Sequence, residues 1–331
     1  MMSCGEQKPA EDPTAKENAR YDMDLAPKLT MFGTLPAVAA GAESDPKVKL
    51  GHALYFDNRL SKNQTQSCNT CHNLATFGVD NKATSAGDLG QNGDRNSPTV
   101  LNAFLHSVQF WDGRAKHVEE QAGMPILNPV EMNIPNEKFL MDRLKGVPMY
   151  VEMFKSAYPA DKDPLTYTNL RTAIAAFERT LTTPSRFDKY LAGDKTALTL
   201  EEKKGMASFI GTGCTACHSG ELVGGKMMQK FGVHANYWEY TKSTKIDKGV
   251  AALKGDSTQL YMFKTPSLRN VAQTAPYFHD GSVADLKEAV TIMAKVNLNY
   301  TLSDAEAANI VAFLKSMTGE VPAFAKTARP E

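Results

Sequence analysis

The chain has 331 residues, a length that accommodates two domains of ordinary size, each with its own hydrophobic core. Lysine and arginine together number 37, as do aspartate and glutamate, so the chain lacks the net positive charge typical of nucleic-acid-binding proteins. No stretch of the sequence has the apolar length needed to span a bilayer. Composition therefore argues against a nucleic-acid partner and leaves partner choice to local patches.

The first residues of the sequence predict a disordered leader. Residues 1–20 are polar and charged, with little apolar surface to bury. Within them, residues 2–5 resemble the end of a lipoprotein signal whose hydrophobic part has been removed. Cys4 is therefore a candidate lipid anchor, and an ordinary free thiol is the alternative that stays open.

The first predicted helix begins near Asp45 and leads to a short cysteine motif. Asp45 can cap the helix, and Pro46 suits its first position. The apolar residues that follow at roughly helical spacing are Val48, Leu50 and Leu54. The motif at residues 68–72 has the sequence CNTCH, and a second one at residues 214–218 has the sequence CTACH.

Cys-x-x-Cys-His is the attachment pattern of c-type haem. The two thiols add to the porphyrin vinyl groups, and the histidine is the proximal ligand of the iron. A structural zinc site would need two cysteine pairs close in sequence, and a thioredoxin-like pair would need a βαβ pattern. The sequence shows neither and predicts two covalent haems c. The residues involved are Cys68, Cys71 and His72 in the first motif and Cys214, Cys217 and His218 in the second.

Between the motifs, the sequence predicts one long loop and one long helix. Residues 84–96 are polar and glycine-bearing without an apolar period, which predicts a mobile loop. Asp163 and Pro164 open a predicted helix that stops before Pro184. Its apolar face consists of Leu170, Ile174, Phe177 and Leu181. A domain boundary is expected where this helix ends.

The second half of the chain has the element order expected of a c-type cytochrome domain: helix, haem motif, loop, methionine and terminal helix. Capping boxes are predicted at Thr199 with Glu202 and at Ser303 with Glu306, and a further helix starts at Ser282 with Asp285. The apolar residues of these three helices are Met206, Phe209 and Ile210; Ile310, Phe313, Leu314 and Met317; and Leu286, Val290 and Met293. From helical spacing alone, Met293 is a core residue.

Three longer blocks carry a resemblance to a known family. They lie at residues 109–114 (QFWDGR), 129–133 (PVEMN) and 276–282 (PYFHDGS), and they closely resemble the bacterial dihaem cytochrome c peroxidases. The resemblance runs from about Tyr21 to the end of the chain. It implies a mainly α fold of two cytochrome c-like haem domains with long irregular loops. The implied domains are a peroxidatic N-terminal domain over 21–183, with 319–331 as a candidate completion, and an electron-transfer domain over 184–318.

The resemblance also implies roles for individual residues. His72 is the proximal ligand of the peroxidatic haem, and His218 with Met293 ligates the electron-transfer haem. Glu131 matches the distal acid–base residue, which moves a proton between the two oxygens of peroxide. Gln121 matches a distal amide that orients peroxide or water. Trp111 matches the aromatic residue between the haems.

A calcium ion between the domains is implied in the same way. The matching positions are Asn96, Thr274 and Pro276, and nothing in the local sequence resembles a dedicated calcium loop. This site depends wholly on the resemblance.

One position departs from the family pattern. Many members have a histidine after the first haem motif that ligates the resting peroxidatic haem, and gap-free counting places Asp88 there. Carboxylate oxygen is a hard donor that does not replace imidazole in a low-spin iron. We therefore expect a haem open to peroxide when fully oxidised, without reductive activation. His106 and His117 are alternative ligands in the same half.

The predicted function is reduction of hydrogen peroxide with electrons from a small c-type cytochrome or copper protein. Because haem is attached outside the bacterial cytoplasm, the predicted location is the periplasm, and relatives suggest a homodimer. One alternative is a dihaem electron carrier without catalysis. Another is a dihaem oxidase of a protein partner, and Met293 argues against it because the related oxidase has tyrosine there.

Overall fold

The computed structural model describes residues 13–328, and the predicted mainly α fold is confirmed. The helices are α1 (Pro13–Leu25), α2 (Pro46–Phe56), α3 (Cys68–Cys71), α4 (Val118–Gln121), α5 (Met124–Leu127), α6 (Glu137–Lys145), α7 (Pro148–Ala157), α8 (Tyr167–Glu178), α9 (Arg186–Leu191), α10 (Leu200–Gly211), α11 (Tyr237–Thr241), α12 (Val250–Lys254), α13 (Leu286–Leu298) and α14 (Asp304–Lys315). Strands β1 (Met228–Lys230) and β2 (Met262–Lys264) pair antiparallel, with Met228 opposite Lys264. In the described part of the chain, no helix combines the length and apolar character that crossing a membrane requires.

The N-terminal core is built on the crossing of α2 and α8. Asp45 caps α2 by accepting a hydrogen bond from the backbone N–H of Lys47, as predicted. Gly51 lies at the crossing, where a Cβ would stand 1.9 Å from the backbone oxygen of Ala173. The absent side chain therefore lets the two backbones touch. The buried residues of this core include Leu50, Leu54, Leu170, Ile174 and Phe177.

The C-terminal core is built on the crossing of α10 and α14. Both predicted capping boxes are present, at Thr199 with Glu202 and at Ser303 with Glu306. A Cβ on Gly205 would stand 1.8 Å from the backbone oxygen of Asn309, so the crossing repeats the geometry of the N-terminal one. The buried residues of this core include Met206, Phe209, Ile310, Phe313 and Leu314.

The prediction of a disordered leader over residues 1–20 is wrong for residues 13–20, which belong to α1. The buried Lys203 on α10 donates hydrogen bonds to the side chains of Asn18 and Asp22 on α1. This long-range anchor, rather than an apolar period in the sequence, fixes α1. Cys4 lies outside the described residues, and so do residues 1–12 of the predicted leader.

Both ends of the described chain pack against the half of the molecule that is distant in sequence. Phe32 packs edge-on against Phe187, and the backbone N–H of Leu35 donates to Asp188, so this segment joins the C-terminal core. It does not join the N-terminal core, contrary to the predicted domain start at residue 21. Val321 and Ala325, close to the end of the chain, are buried in the N-terminal core.

Two helix starts differ from the prediction. Thr166, not Asp163, caps α8 by accepting a hydrogen bond from the backbone N–H of Asn169. Asp285 alone caps α13 and accepts a hydrogen bond from Glu288, whereas Ser282 precedes the helix. In each case a second polar residue close to the helix start satisfies the free backbone donors.

Candidate functional site

The first haem motif lines a large cavity of about 1020 Å³. Cys68, Cys71 and His72 all face it. The Nδ1 atom of His72 lies 2.9 Å from the backbone oxygen of Pro98, so this contact fixes the ring through Nδ1 and leaves Nε2 as the nitrogen for a metal. Burial lowers the pKa of His72, which favours the neutral imidazole that ligates iron.

The second motif lines a smaller cavity of about 190 Å³. Its histidine, His218, is oriented in the same way, with Nδ1 3.2 Å from the backbone oxygen of Val223. Burial lowers the pKa of His218 to about 4, so this ring is neutral at physiological pH. Both motifs combine two free thiols with an oriented imidazole, and both therefore fit covalently bound haem.

Met293 faces the second cavity together with Leu286 and Val290. These are the residues that helical spacing assigned to a core. They also pack against the hydrophobic cores, so the expectation from spacing holds beside their place in the cavity wall. The thioether therefore shares a cavity with His218, as a ligand pair requires.

Glu131 and Gln121 both line the first cavity. The Oε1 atom of Glu131 accepts a hydrogen bond of 2.8 Å from the side-chain amide of Asn128. Burial raises the pKa of Glu131 above the usual value of a glutamate, while Asn128 and Arg114 oppose the shift. The carboxyl group is thus positioned and tuned towards proton exchange.

Trp111 lies where the two cavities meet and lines both of them. Its indole N–H donates to the backbone oxygen of Asn96 across 2.9 Å. Its own backbone oxygen accepts a hydrogen bond of 2.7 Å from the backbone N–H of Lys264 on β2. These two bonds hold the indole between the halves of the molecule.

The loop at residues 84–96 is anchored, contrary to the expectation of a mobile segment. Asp88 is buried, and its carboxylate accepts hydrogen bonds from the backbone N–H of Asn63 and the hydroxyl of Thr65. Its backbone N–H donates to the backbone oxygen of Glu131 across 2.7 Å. Asp88 is not among the residues that line the first cavity. The carboxylate therefore supports the loop rather than facing a haem.

The two alternative histidines differ in position. His106 lines the first cavity, where its Nδ1 atom lies 3.0 Å from the amine of Lys264. His117 caps α4 from the surface and pairs with Glu119, with 60% of its side chain exposed. His117 therefore lies away from the cavity.

The predicted calcium residues lie on segments that touch one another. Asn96 is buried, its side-chain amide donates to the backbone oxygen of Lys82, and its backbone N–H donates to His279. Asn81 in turn donates to the backbone oxygen of Ala275, which stands between Thr274 and Pro276. The described residues contain no group of three or more acidic, cysteine or histidine side chains that could hold a metal. The predicted ligands are amide and backbone oxygens, so they fall outside that class.

Sequence reasoning missed three features of the first cavity. Glu178, at the end of α8, faces the cavity, and burial raises its pKa to about 8. Arg95 bridges Asp112 and Asp247, which joins the two halves of the chain at the cavity wall. Lys264 is buried between the two cavities. The residues that surround these three side chains are distant in sequence. The only signal in the sequence is an unusual charge within an apolar stretch, such as Lys264 after Phe263.

Comparison with known proteins agrees with this geometry. The family profile described as di-haem cytochrome c peroxidase matches residues 45–196, and the cytochrome c profile matches residues 202–318. The chain is 42% identical to the cytochrome c551 peroxidase of Pseudomonas aeruginosa, over 94% of this chain and 89% of the relative. It is 45% identical to the cytochrome c551 peroxidase of Nitrosomonas europaea, over 87% of this chain and 85% of the relative.

A solved structure of a MauG-like protein associated with microbial copper homeostasis has the same fold. It superposes with a TM-score of 0.76 at 26% identity, covering 89% of this chain and 97% of that one. The prediction of two cytochrome c-like domains is therefore confirmed.

Proposed function

Because the chain belongs to the bacterial di-haem cytochrome c peroxidases, we propose how its residues divide the reduction of hydrogen peroxide between the two cavities. The chain is an oxidoreductase with haem c as cofactor, and it converts one peroxide, two protons and two electrons into two waters. Cytochromes supply the electrons.

Peroxide is reduced in the first cavity. Cys68, Cys71 and His72 would hold the haem there, and it supplies the redox-active iron at which the oxygen–oxygen bond is cleaved. Glu131 takes the proton from one oxygen of peroxide and gives it to the other, which leaves as water. Gln121 orients the peroxide with its side-chain amide. The raised pKa of Glu131 supports this role, because a carboxylate with a pKa nearer to neutral is a stronger base and takes the proton from peroxide more readily.

Electrons enter through the second cavity. Cys214, Cys217 and His218 would hold the second haem, and the thioether of Met293, which lines the same cavity, would be a further ligand of its iron. A thioether ligand raises the reduction potential and closes the iron to peroxide, which suits an electron-transfer site. Trp111 provides an aromatic connection between the cavities, since it lines both.

The proposal depends on one observation, that Glu131 and His72 face the same cavity. Glu131→Gln keeps the shape of the side chain and removes the proton acceptor, so we expect kcat/KM for peroxide to fall about 10²–10⁴-fold. The matched control is Glu137→Gln, at an exposed position in the first turn of α6. Unchanged turnover in Glu131→Gln would favour a dihaem electron carrier instead.

Partners and location extend the same proposal. A small copper protein is a second candidate donor. We expect a periplasmic location because haem is attached outside the cytoplasm. We expect a homodimer because relatives dimerise. A lipid anchor at Cys4 stays a prediction. A calcium ion held by Asn96, Thr274 and Pro276 would join the halves of the molecule close to Trp111, whose indole N–H binds Asn96.

A further inference from the structure

Both tryptophans of the chain belong to one connected series of aromatic rings. The ring centroids of Trp111 and His279 lie 6.4 Å apart, and those of His279 and Tyr237 lie 5.3 Å apart. Trp238 follows at 5.1 Å from Tyr237, and Tyr261 lies 5.0 Å from Trp238. The contacts are therefore unbroken from Trp111 onwards. The four residues beyond Trp111 are called the aromatic branch below.

The aromatic branch leads from the boundary of the two cavities to the protein surface. Trp111 lines both cavities, and His279 lines the second one. Tyr237 is fully buried and lines neither. Trp238 and Tyr261 also line neither cavity, and both are half-buried, with part of each side chain in contact with solvent. The ring contacts beyond His279 thus lie outside both cavities.

The rings are held in place by their surroundings. The backbone N–H of Phe231 donates to the backbone oxygen of Tyr261 across 2.9 Å, and the backbone N–H of Tyr261 donates to Lys248 across 3.0 Å. Phe263 on β2 stacks on His279, with ring centroids 4.2 Å apart. Aromatic rings pack in this way in many hydrophobic cores, so a role in electron transfer must be argued from more than the contacts.

The residue types distinguish the aromatic branch from an ordinary core. Tryptophan and tyrosine are the aromatic side chains that lose an electron most readily, whereas phenylalanine and imidazole resist oxidation. The series begins with an oxidisable ring at Trp111 and continues through Tyr237 to two oxidisable rings at the surface. His279 fills the one gap between them. Because electron tunnelling weakens steeply with distance, such closely spaced rings favour transfer from the cavity boundary to the surface.

An oxidant that persists in the first cavity endangers the side chains around it. Met132 is buried and lines that cavity. Oxidation of its thioether to the sulfoxide would place a polar group in a packed core. A route by which surface residues supply electrons would protect the cavity whenever no donor is bound.

We propose that the aromatic branch carries oxidising equivalents from the first cavity to Trp238 and Tyr261 when no electron donor is bound. An electron moves from Trp238 along the branch to Trp111, which has given its own electron to the oxidant formed from peroxide. In two such transfers Trp238 loses two electrons and, with one added water, two protons. One peroxide and one tryptophan thus give one hydroxytryptophan and one water. The inference rests on the proposed function, because peroxide reduction in the first cavity supplies the oxidant.

The test is peptide mass spectrometry of the holo-protein after repeated additions of peroxide without a donor. In the wild-type protein we expect one added oxygen atom on Trp238 or Tyr261. Trp111→Phe keeps an aromatic ring but removes the first oxidisable step, so this oxygen should be lost although both surface rings remain. Added oxygen that persists on them in Trp111→Phe would come from direct attack by peroxide and would overturn the inference.

A double variant with Trp238→Phe and Tyr261→Phe removes the surface end of the aromatic branch and keeps rings for packing. Compared with the wild-type protein, we expect more Met132 sulfoxide and faster loss of peroxidase activity during exposure to peroxide without a donor. Tyr300→Phe is the matched control, since Tyr300 is an exposed tyrosine between α13 and α14. It should behave like the wild-type protein.

Met23 serves as an internal standard, because it is exposed and peroxide in solution reaches it directly. Its sulfoxide should rise equally in every variant. Equal amounts of Met132 sulfoxide in the double variant and the wild-type protein would contradict the protective route. Donor-driven turnover is measured separately: turnover without added oxygen on Trp238 or Tyr261 refutes the aromatic branch alone, whereas absence of turnover refutes the proposed function.

Discussion

The backbone N–H of Asp88 donates a hydrogen bond to the backbone oxygen of Glu131 across 2.7 Å. The loop at residues 84–96 is thereby tied to the segment that carries the acid–base residue, and the Asp88 carboxylate is engaged by Asn63 and Thr65. No side chain of this loop is available as an imidazole ligand. We therefore expect the fully oxidised holo-protein to reduce peroxide from the moment of mixing, as followed by stopped-flow absorbance.

Prior one-electron reduction is the control for this prediction, and it should leave the initial rate unchanged. Electron paramagnetic resonance of the oxidised protein should show a high-spin ferric signal from the haem of His72. Two low-spin signals, with turnover only after half-reduction, would mean that another side chain, such as His106, occupies that site.

Asn128→Ala should move the acidic limb of the kcat/KM profile to higher pH. The hydrogen bond from Asn128 lowers the pKa of Glu131 against the effect of burial, so its loss raises that pKa further. The deprotonated carboxylate accepts the proton, so activity falls as the pH drops through this pKa. Asn136→Ala, at the exposed N-terminal cap of α6, should leave the limb in place. A shift to lower pH after Asn128→Ala would contradict the assigned role.

Gly205→Ala should destabilise the C-terminal core by about 1–3 kcal/mol, because the new methyl group meets the backbone of α14. Gly211→Ala in the same helix is the matched control, since nothing lies within 4 Å of its added Cβ. That change should instead stabilise the protein by about 0.4–1 kcal/mol through the unfolded state. Denaturant unfolding of the holo-proteins measures both, and equal effects would show that the crossing tolerates a side chain.

Arg269→Met should lower the free energy of unfolding by about 3–5 kcal/mol. Arg269 is fully buried, and its guanidinium donates to Asp188 across 2.7 Å, so the change leaves that carboxylate without its positively charged partner. Arg186→Met is the comparison, since Arg186 pairs with Glu202 at a position where 48% of its side chain is exposed. There we expect a loss of about 0–1 kcal/mol. If both variants lose a similar amount of unfolding free energy, the buried ion pair contributes no more to stability than the exposed one.

Removal of calcium by a chelator should lower the melting temperature, and added Ca²⁺ should restore it, because an ion bound only by the folded state stabilises that state. Mg²⁺ should restore less, since it requires tighter octahedral coordination. Asn96→Ala should abolish the difference between chelated and Ca²⁺-loaded protein. If the chelator leaves the melting temperature unchanged, the proposed calcium site is wrong.

Local signals in the sequence predicted much of the fold. Helix caps such as Asp45, Thr199 and Ser303 depend on residues two or three positions away, so they could be identified without a structure. The docking of α1 depends on Lys203, far along the chain, and helical spacing carries no trace of that contact. The start of α8 was misplaced because Asp163 and Thr166 are both good caps, and only packing decides between them.

In the candidate site, too, local sequence patterns predicted some residues, whereas others depend on contacts between distant parts of the chain. The cysteine motifs and the family blocks led to His72, Glu131, Trp111 and Met293, and the structure places each of them at a cavity. Helical spacing predicted that Met293 packs in a core, which it does, but spacing could not show that the side chain also lines the second cavity, because both positions have the same period. Lys264 escaped notice because a single lysine carries no pattern until its neighbours are known.

The chain crosses over at both ends, with Phe32 and Leu35 in the C-terminal core and Val321 and Ala325 in the N-terminal core. A protease that cuts between the two haem domains would therefore not release them. Each fragment would stay bound to the other, because each has a terminal segment buried in the core of the other domain. The two haem domains are thus held together by exchanged segments. This arrangement fixes the distance between the two haem sites more firmly than a flexible linker could.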